Sequence, residues 1–117
     1  MSRGLVTEPE ILSTQQDGDT VRLSLHIPPG LMQFQGHFDN FPMLPGVVQV
    51  DWAIRQGRRH FSLPANFKRL SALKFMRVTQ PGAVLELSLS RNSVGELSFR
   101  YANGAEVYSS GRALFAD

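Results

Sequence analysis

Three stretches of this chain alternate apolar and polar residues with a period of two, and this pattern constrains the fold more than any other feature. Val21, Leu23, Leu25 and Ile27 form the first, ended by Pro28 and Pro29. Leu85, Leu87 and Leu89 alternate with Glu86, Ser88 and Ser90, and Leu97, Phe99 and Tyr101 repeat the pattern after a turn at Asn92 to Gly95. Only a strand puts such residues on one face, so each predicts a half-buried β-strand. A short strand over Ile11 to Gln15 precedes the turn Asp17-Gly18-Asp19. Another spans Leu70 to Val78 before Gln80-Pro81-Gly82. Asn103-Gly104 is a hairpin signal and leads into a last strand from Glu106 to Phe115. Val47 to about Phe61 lacks the alternation and reads as a helix, which Pro64 stops. One long helix and five or six hairpin-joined strands make an α+β protein in which an antiparallel sheet curls around the helix. Val47, Val48, Val50, Trp52, Ala53, Ile54, Gly57 and Phe61 spread apolar groups over more than one helix face, which predicts a largely buried helix. A sheet of this kind leaves edges that a small domain covers by dimerising.

The chain has 117 residues, enough for one domain (1–117) with a core of its own. It contains no cysteine, which excludes disulfides and thiolate chemistry. No apolar run approaches the roughly 18 residues of a membrane span, and MSRGLVTEPE lacks a signal-peptide core; a soluble cytoplasmic protein is expected. Net charge is only +2, yet Arg55, Arg58, Arg59, Lys68, Arg69, Lys74 and Arg77 run without an intervening acid. Such a run steers an acidic partner, with nucleic acid and an acidic carrier protein both as candidates.

Residues 34 to 45 show no periodicity, and aperiodic loops of about a dozen residues inside a small domain usually serve a function. This one carries Phe34, Phe38, Phe41, Met43 and Leu44, and so packs rather than being disordered. Pro45 and Gly46 then open the helix, where proline's missing N–H costs nothing and glycine admits close backbone approach. The first helical amides, Gly46 and Val47 among them, are donors without intrahelical partners at the positive end of the helix dipole. His37 alone reads as a hydrogen-bonded loop residue; with Asp39 it makes a two-residue metal hint that no further ligands complete, so no metal is expected. Asp51, in VVQVDWAI, is open to three roles: an i,i+4 ion pair with Arg55, a buried structural acceptor, or a catalytic acid kept protonated by apolar surroundings.

GHF, then PMLPGV, then an acid on the helix closely resembles the β-hydroxyacyl-ACP dehydratases, which have the hot-dog fold of an antiparallel sheet around one long helix. LKFMRVTQPG, residues 73–82, is similar to the family's strand and Pro-Gly turn after the helix, so the likeness covers roughly residues 8–116. The length and the wording PGVVQVDWA look most like the short dehydratases of bacterial aryl-polyene pathways. The resemblance implies that His37 is the catalytic histidine, Asp51 the helix acid, Gly46 the oxyanion amide, and Met43 the residue whose carbonyl orients the histidine. It implies a homodimer with shared sites, each taking its histidine from one subunit and its acid from the other. A higher oligomer or a heterodimer is compatible with it. The partner implied is an acyl carrier protein received by the basic run, not nucleic acid. No cofactor is implied, because the pantetheine arm belongs to the substrate. Phe38, Phe41, Pro45 and Trp52 are candidates for the acyl pocket. Three positions depart from the family pattern. Asp39 stands where proline follows the His-Phe pair, Trp52 replaces a small residue, and Arg55 replaces a glutamine that helps hold the acid.

The activity implied is dehydration of a 3-hydroxyacyl-ACP to the trans-2-enoyl-ACP. Two rivals stand beside it. A hot-dog thioesterase would hydrolyse the thioester without the GHF histidine. A non-catalytic subunit would keep the fold and pair with an active homologue.

Overall fold

The computed structural model describes residues 7–30 and 43–117, so the loop carrying His37, Phe38 and Phe41 lies outside the described residues. In chain order the elements are β1 (Glu10–Asp17), β2 (Thr20–His26), α1 (Gly46–His60), β3 (Asn66–Phe75), β4 (Val84–Arg91), β5 (Glu96–Asn103) and β6 (Glu106–Ala116). The strands form one six-stranded antiparallel sheet in the order β1-β2-β4-β5-β6-β3, with α1 between β2 and β3 in the chain.

The period-two stretches behave as their patterns require. Val21, Leu23, Leu25, Leu85, Leu87, Leu89, Leu97, Phe99 and Tyr101 all point to one face and form the core with Val50 and Ala53 of α1. Register explains how neighbouring strands share that face: Leu23 opposes Leu87, Leu87 opposes Tyr101, and Phe99 opposes Gly111. Gly57 sets the distance between helix and sheet, since a Cβ there would lie 2.5 Å from Leu97 Cδ2. Beyond the end of α1, Arg58 donates to the carbonyls of Pro64 and Ala65 and stacks over the Phe115 ring at 4.7 Å.

Two expectations need correction. The helix is not buried all round: Gln49, Val50, Trp52, Ala53, Gln56 and Gly57 are buried, whereas Val47, Asp51, Arg55, Arg58 and Arg59 are exposed. A single chain's sheet covers only one flank of α1. The strand expected over Leu70 to Val78 instead runs Asn66–Phe75 and carries two bulges, one between Phe67 and Arg69 and one between Ser71 and Lys74. Ala72 in the second bulge has a left-handed φ of 52°, and each extra residue breaks the alternation that would have marked the strand.

The edge formed by β3 carries exposed apolar side chains. Phe67, Leu73 and Phe75, followed by Met76 and Val78, are all more than a third exposed, and Val47 at the start of α1 is 76% exposed. Unpaired strand edges with apolar side chains are the surfaces on which chains associate.

Candidate active site

The start of α1 is built from the sequence Leu44-Pro45-Gly46. Pro45 is the N-cap with φ −60° and ψ 145°, and its carbonyl accepts from the amides of Val48 at 3.1 Å and Gln49 at 3.3 Å. The amides of Gly46 and Val47 come before these and have no intrahelical acceptor. No acidic residue lies in the first turn, so the positive end of the dipole is not neutralised there. A Cβ on Gly46 would lie 2.6 Å from Phe75 Cζ, so glycine is what lets this ring sit against the helix start.

These parts line a cleft of about 370 Å³ formed by Met43, Leu44, Gly46, Gln49, Phe75, Met76, Arg77, Val78 and Thr79. The Leu44 amide donates to the Thr79 carbonyl at 2.8 Å, which ties the approach to the helix onto the segment after β3. Thr79 Oγ1 is buried and has no hydrogen-bond partner among the described residues. An apolar cleft lined by Gly46, whose amide has no partner among the described residues, suits an acyl chain whose carbonyl oxygen meets that donor.

Gln49 was not anticipated as a site residue. Its side chain is 3% exposed; Nε2 donates to the Leu44 carbonyl at 3.2 Å and Oε1 accepts from Ser109 Oγ at 2.7 Å. Its backbone carbonyl accepts the Tyr101 hydroxyl at 2.7 Å. The sequence holds a signal for both partners: Gln49 is the one amide in VVQV, and Ser109 is a hydroxyl on the inward phase shared by Ala113 and Phe115.

Burial pushes the Tyr101 phenol far above its ordinary value of 10.0, and the Asp51 carboxylate adds to the rise. A raised folded-state pKa means this group's contribution is complete below about pH 10 and is lost as pH climbs, because only the unfolded phenol ionises there. Tyr101→Phe should therefore cost about 1 kcal/mol at pH 8 through the lost hydrogen bond. It should also lose less stability than the parent between about pH 10 and 12, read by urea titration at both ends of that range.

Among the sequence-predicted residues, the structure brings Met43 and Gly46 together in the cleft. Pro45 is half-buried as the N-cap and does not line it. Trp52 does not line it either: it is 3% exposed, packs with Ile27 and Leu44, and donates from Nε1 to the Thr7 carbonyl at 3.2 Å. Its expected place in an acyl pocket is therefore not in this cleft of the described residues. Asp51 lies on the exposed face of α1, its carboxylate 53% exposed and 2.9 Å from Arg55 Nε. Among the described residues Asp51 thus makes the i,i+4 ion pair, and the apolar enclosure expected of a catalytic acid is not formed by them alone.

The basic run is partly spent on internal contacts. Arg55 pairs with Asp51, Arg59 with Glu8 at 3.9 Å and Arg77 with Glu106 at 2.7 Å, while Arg58 holds the carbonyls after the helix. Lys68, Arg69 and Lys74 on β3 take part in none of the ion pairs among the described residues. No group of three or more potential metal ligands occurs among the described residues, and none of their helices is long and apolar enough to cross a membrane.

Comparison with known proteins agrees with this architecture. The ApeI-like family, described as ApeI dehydratase, matches residues 13–112. The 3-hydroxyacyl-[acyl-carrier-protein] dehydratase FabZ of Natranaerobius thermophilus is 34% identical over 93 residues, covering 70% of this chain and 66% of that protein. FabZ of Caldicellulosiruptor bescii is 32% identical over 94 residues, covering 71% and 67%. This chain therefore spans about two thirds of the length of those two relatives. A chain of the dehydratase heterocomplex ApeI:P from Xenorhabdus doucetiae superposes with a TM-score of 0.87 at 27% identity, covering 95% of this chain and all of that one. An uncharacterized protein from Erwinia carotovora subsp. atroseptica superposes with a TM-score of 0.80 at 30% identity, covering 92% and 95%. With its six-stranded antiparallel sheet, the helix α1 and a cleft at that helix's N-terminus, this chain belongs to the ApeI-like dehydratases, hydro-lyases of the hot-dog family that includes the 3-hydroxyacyl-ACP dehydratases.

Proposed function

We propose that this chain catalyses the loss of water from a 3-hydroxyacyl thioester on acyl carrier protein, giving the trans-2-enoyl thioester, with His37 and Asp51 as its acid-base pair. The observation that carries the reading is the apolar cleft lined by Gly46, whose amide, like that of Val47 beside it, has no partner among the described residues. Those donors polarise the thioester carbonyl, which makes the C2 proton removable; one such donor is worth about 3 kcal/mol in comparable sites. Neutral His37 takes the C2 proton, since imidazole titrates near working pH. Electrons of the C2–H bond form the C2–C3 double bond, the C3–O bond breaks, and Asp51 supplies the proton that leaves with the hydroxyl as water, directly or through a bridging water. The Met43 carbonyl orients the imidazole. No metal or other cofactor takes part, because the pantetheine arm arrives with the carrier. Phe38 and Phe41 supply further apolar wall to the acyl chain. The wording PGVVQVDWA carries the further reading of an aryl-polyene substrate, handled in the cytoplasm.

The acid reaches the cleft from a second subunit. Asp51 is absent from the cleft of its own chain, and the exposed stripe of Phe67, Leu73, Phe75 and Val47 gives a second chain a surface to cover. A homodimer meets this requirement. So does a heterodimer with a homologue, which the heterocomplex of the similar ApeI:P protein favours. Lys68, Arg69 and Lys74, rather than the whole basic run, are left to receive the acidic carrier.

The test uses intact protein, 3-hydroxyacyl-ACP and mass detection of the loss of water. His37→Ala and Asp51→Asn chains, each inactive alone, should on mixing regain about a quarter of the parent rate, because half the dimers are mixed and each mixed dimer has one intact site. No regain would place both residues in one subunit, and release of free acid by His37→Ala would favour a thioesterase.

A further inference from the structure

Gln49 lines the cleft without facing solvent, and its hydrogen bonds reach three different elements. A buried amide costs free energy unless its donors and acceptor are matched, and an aliphatic side chain would fill this position between Val48 and Val50 without that requirement. Here the amide bridges the Leu44 carbonyl and Ser109 Oγ of β6, while the Gln49 main chain is held by Tyr101 of β5. We propose that Gln49, backed by Ser109, is a positioning residue that fixes the direction of the Gly46 N–H; this rests on the reading of that amide as the oxyanion donor.

The geometry leaves the Gly46 amide little freedom. The Leu44 amide is tied to the Thr79 carbonyl at 2.8 Å, and the Leu44 carbonyl to Gln49 Nε2 at 3.2 Å, so both peptide groups flanking Leu44 are pinned. Pro45 comes next, with its φ locked by the ring at −60° and its carbonyl already engaged by Val48 and Gln49. The next amide in the chain is that of Gly46. Glycine is the residue least able to hold its own backbone direction, so this direction must be imposed by its neighbours. Without Gln49 Nε2 the Leu44 carbonyl loses its partner, and the Leu44–Pro45 peptide can shift the Pro45–Gly46 peptide after it, which is then held only through its carbonyl by the Val48 and Gln49 amides. Ser109 acts one step further back. By donating to Oε1 it sets which end of the Gln49 amide faces Leu44, so that Nε2 and not Oε1 meets the carbonyl.

Displacement of a positioned group by about 1 Å costs on the order of a hundredfold in rate without weakening substrate binding. Gln49→Met, close in shape but lacking donor and acceptor, should lower kcat about ten- to a hundredfold with KM within about twofold of the parent. Ser109→Ala, the milder change in case Gln49→Met folds poorly, should lower kcat in the same sense, and Ser109→Thr should restore it by keeping the hydroxyl. The direct readout is the Gly46 amide resonance in the intact ¹⁵N-labelled protein, followed as butyryl-pantetheine, which has no 3-hydroxyl to eliminate, is titrated in. In the parent that resonance should move downfield at saturation, and in Gln49→Met and Ser109→Ala it should move less. Unchanged kcat in both variants, or a rise in KM at constant kcat, overturns the role given to Gln49. A parent Gly46 resonance that does not respond at all overturns instead the oxyanion reading on which it rests.

Discussion

Asp51→Asn lowers kcat for 3-hydroxyacyl-ACP dehydration by about 10²- to 10⁴-fold, the range for loss of a positioned acid, and leaves the thermal midpoint nearly unchanged. The two halves of this expectation have separate causes. The carboxylate is 53% exposed, and its partner Arg55 lies one helical turn on and is 59% exposed. Exposed i,i+4 pairs contribute only about 0.3–0.5 kcal/mol, so the fold has little to lose. The chemistry has more to lose, because asparagine keeps the shape of the side chain but cannot give up a proton to the leaving hydroxyl. Parallel measurement of turnover by mass and of unfolding by circular dichroism separates the two. Undiminished turnover in a folded Asp51→Asn protein would remove Asp51 from the mechanism. Arg55→Gln adds a second comparison, since it restores the residue type usual one turn after the acid in this family.

Phe99→Ala destabilises the protein by about 3–5 kcal/mol, a large part of the total of roughly 5–15 kcal/mol expected for a domain of this size. Phe99 is 2% exposed and meets the Tyr101 ring edge-to-face at 6.4 Å between centroids. Directly opposite on β6 stands Gly111, where a Cβ would lie 2.8 Å from Phe99 Cζ. The ring therefore fills the space that Gly111 leaves empty. On truncation Gly111 has no side chain to move in, and Leu73, whose Cδ1 would lie 2.9 Å from the same Cβ, is the neighbour left to fill part of the cavity. Urea unfolding monitored by Trp52 fluorescence measures the change; a loss below about 1.5 kcal/mol would mean that the sheet collapses around the site.

Legibility in the sequence followed the regularity of each element. β2, β4 and β5 were readable nearly residue by residue, because each keeps one face in the core and strict alternation records it. β3 was readable only roughly. Its two bulges shift which side chains face inward, and as a sheet edge it lacks the burial that enforces a pattern. The exposed flank of α1 was hidden for a related reason. Val47 is as apolar as Val50, and nothing in the sequence says that one meets the sheet and the other meets solvent. The packing of Trp52 with Ile27 and Leu44 could not be read from its neighbour Asp51, because adjacent helical residues point about 100° apart.

By itself, the sequence determined the fold class, the place of the helix start, and the motif of histidine, proline, glycine and acid that identifies the family. All of these depend on local periodicity or fixed spacing. Only the tertiary structure decided that Phe75 roofs Gly46, that Gln49 reaches Ser109 on a distant strand, that Trp52 belongs to the core, and that much of the basic run is engaged within the chain. Apart from the local i,i+4 pair of Asp51 and Arg55, those contacts join residues that are not neighbours in any local pattern. Strand register and the packing of one helix flank create them, and no local pattern encodes either.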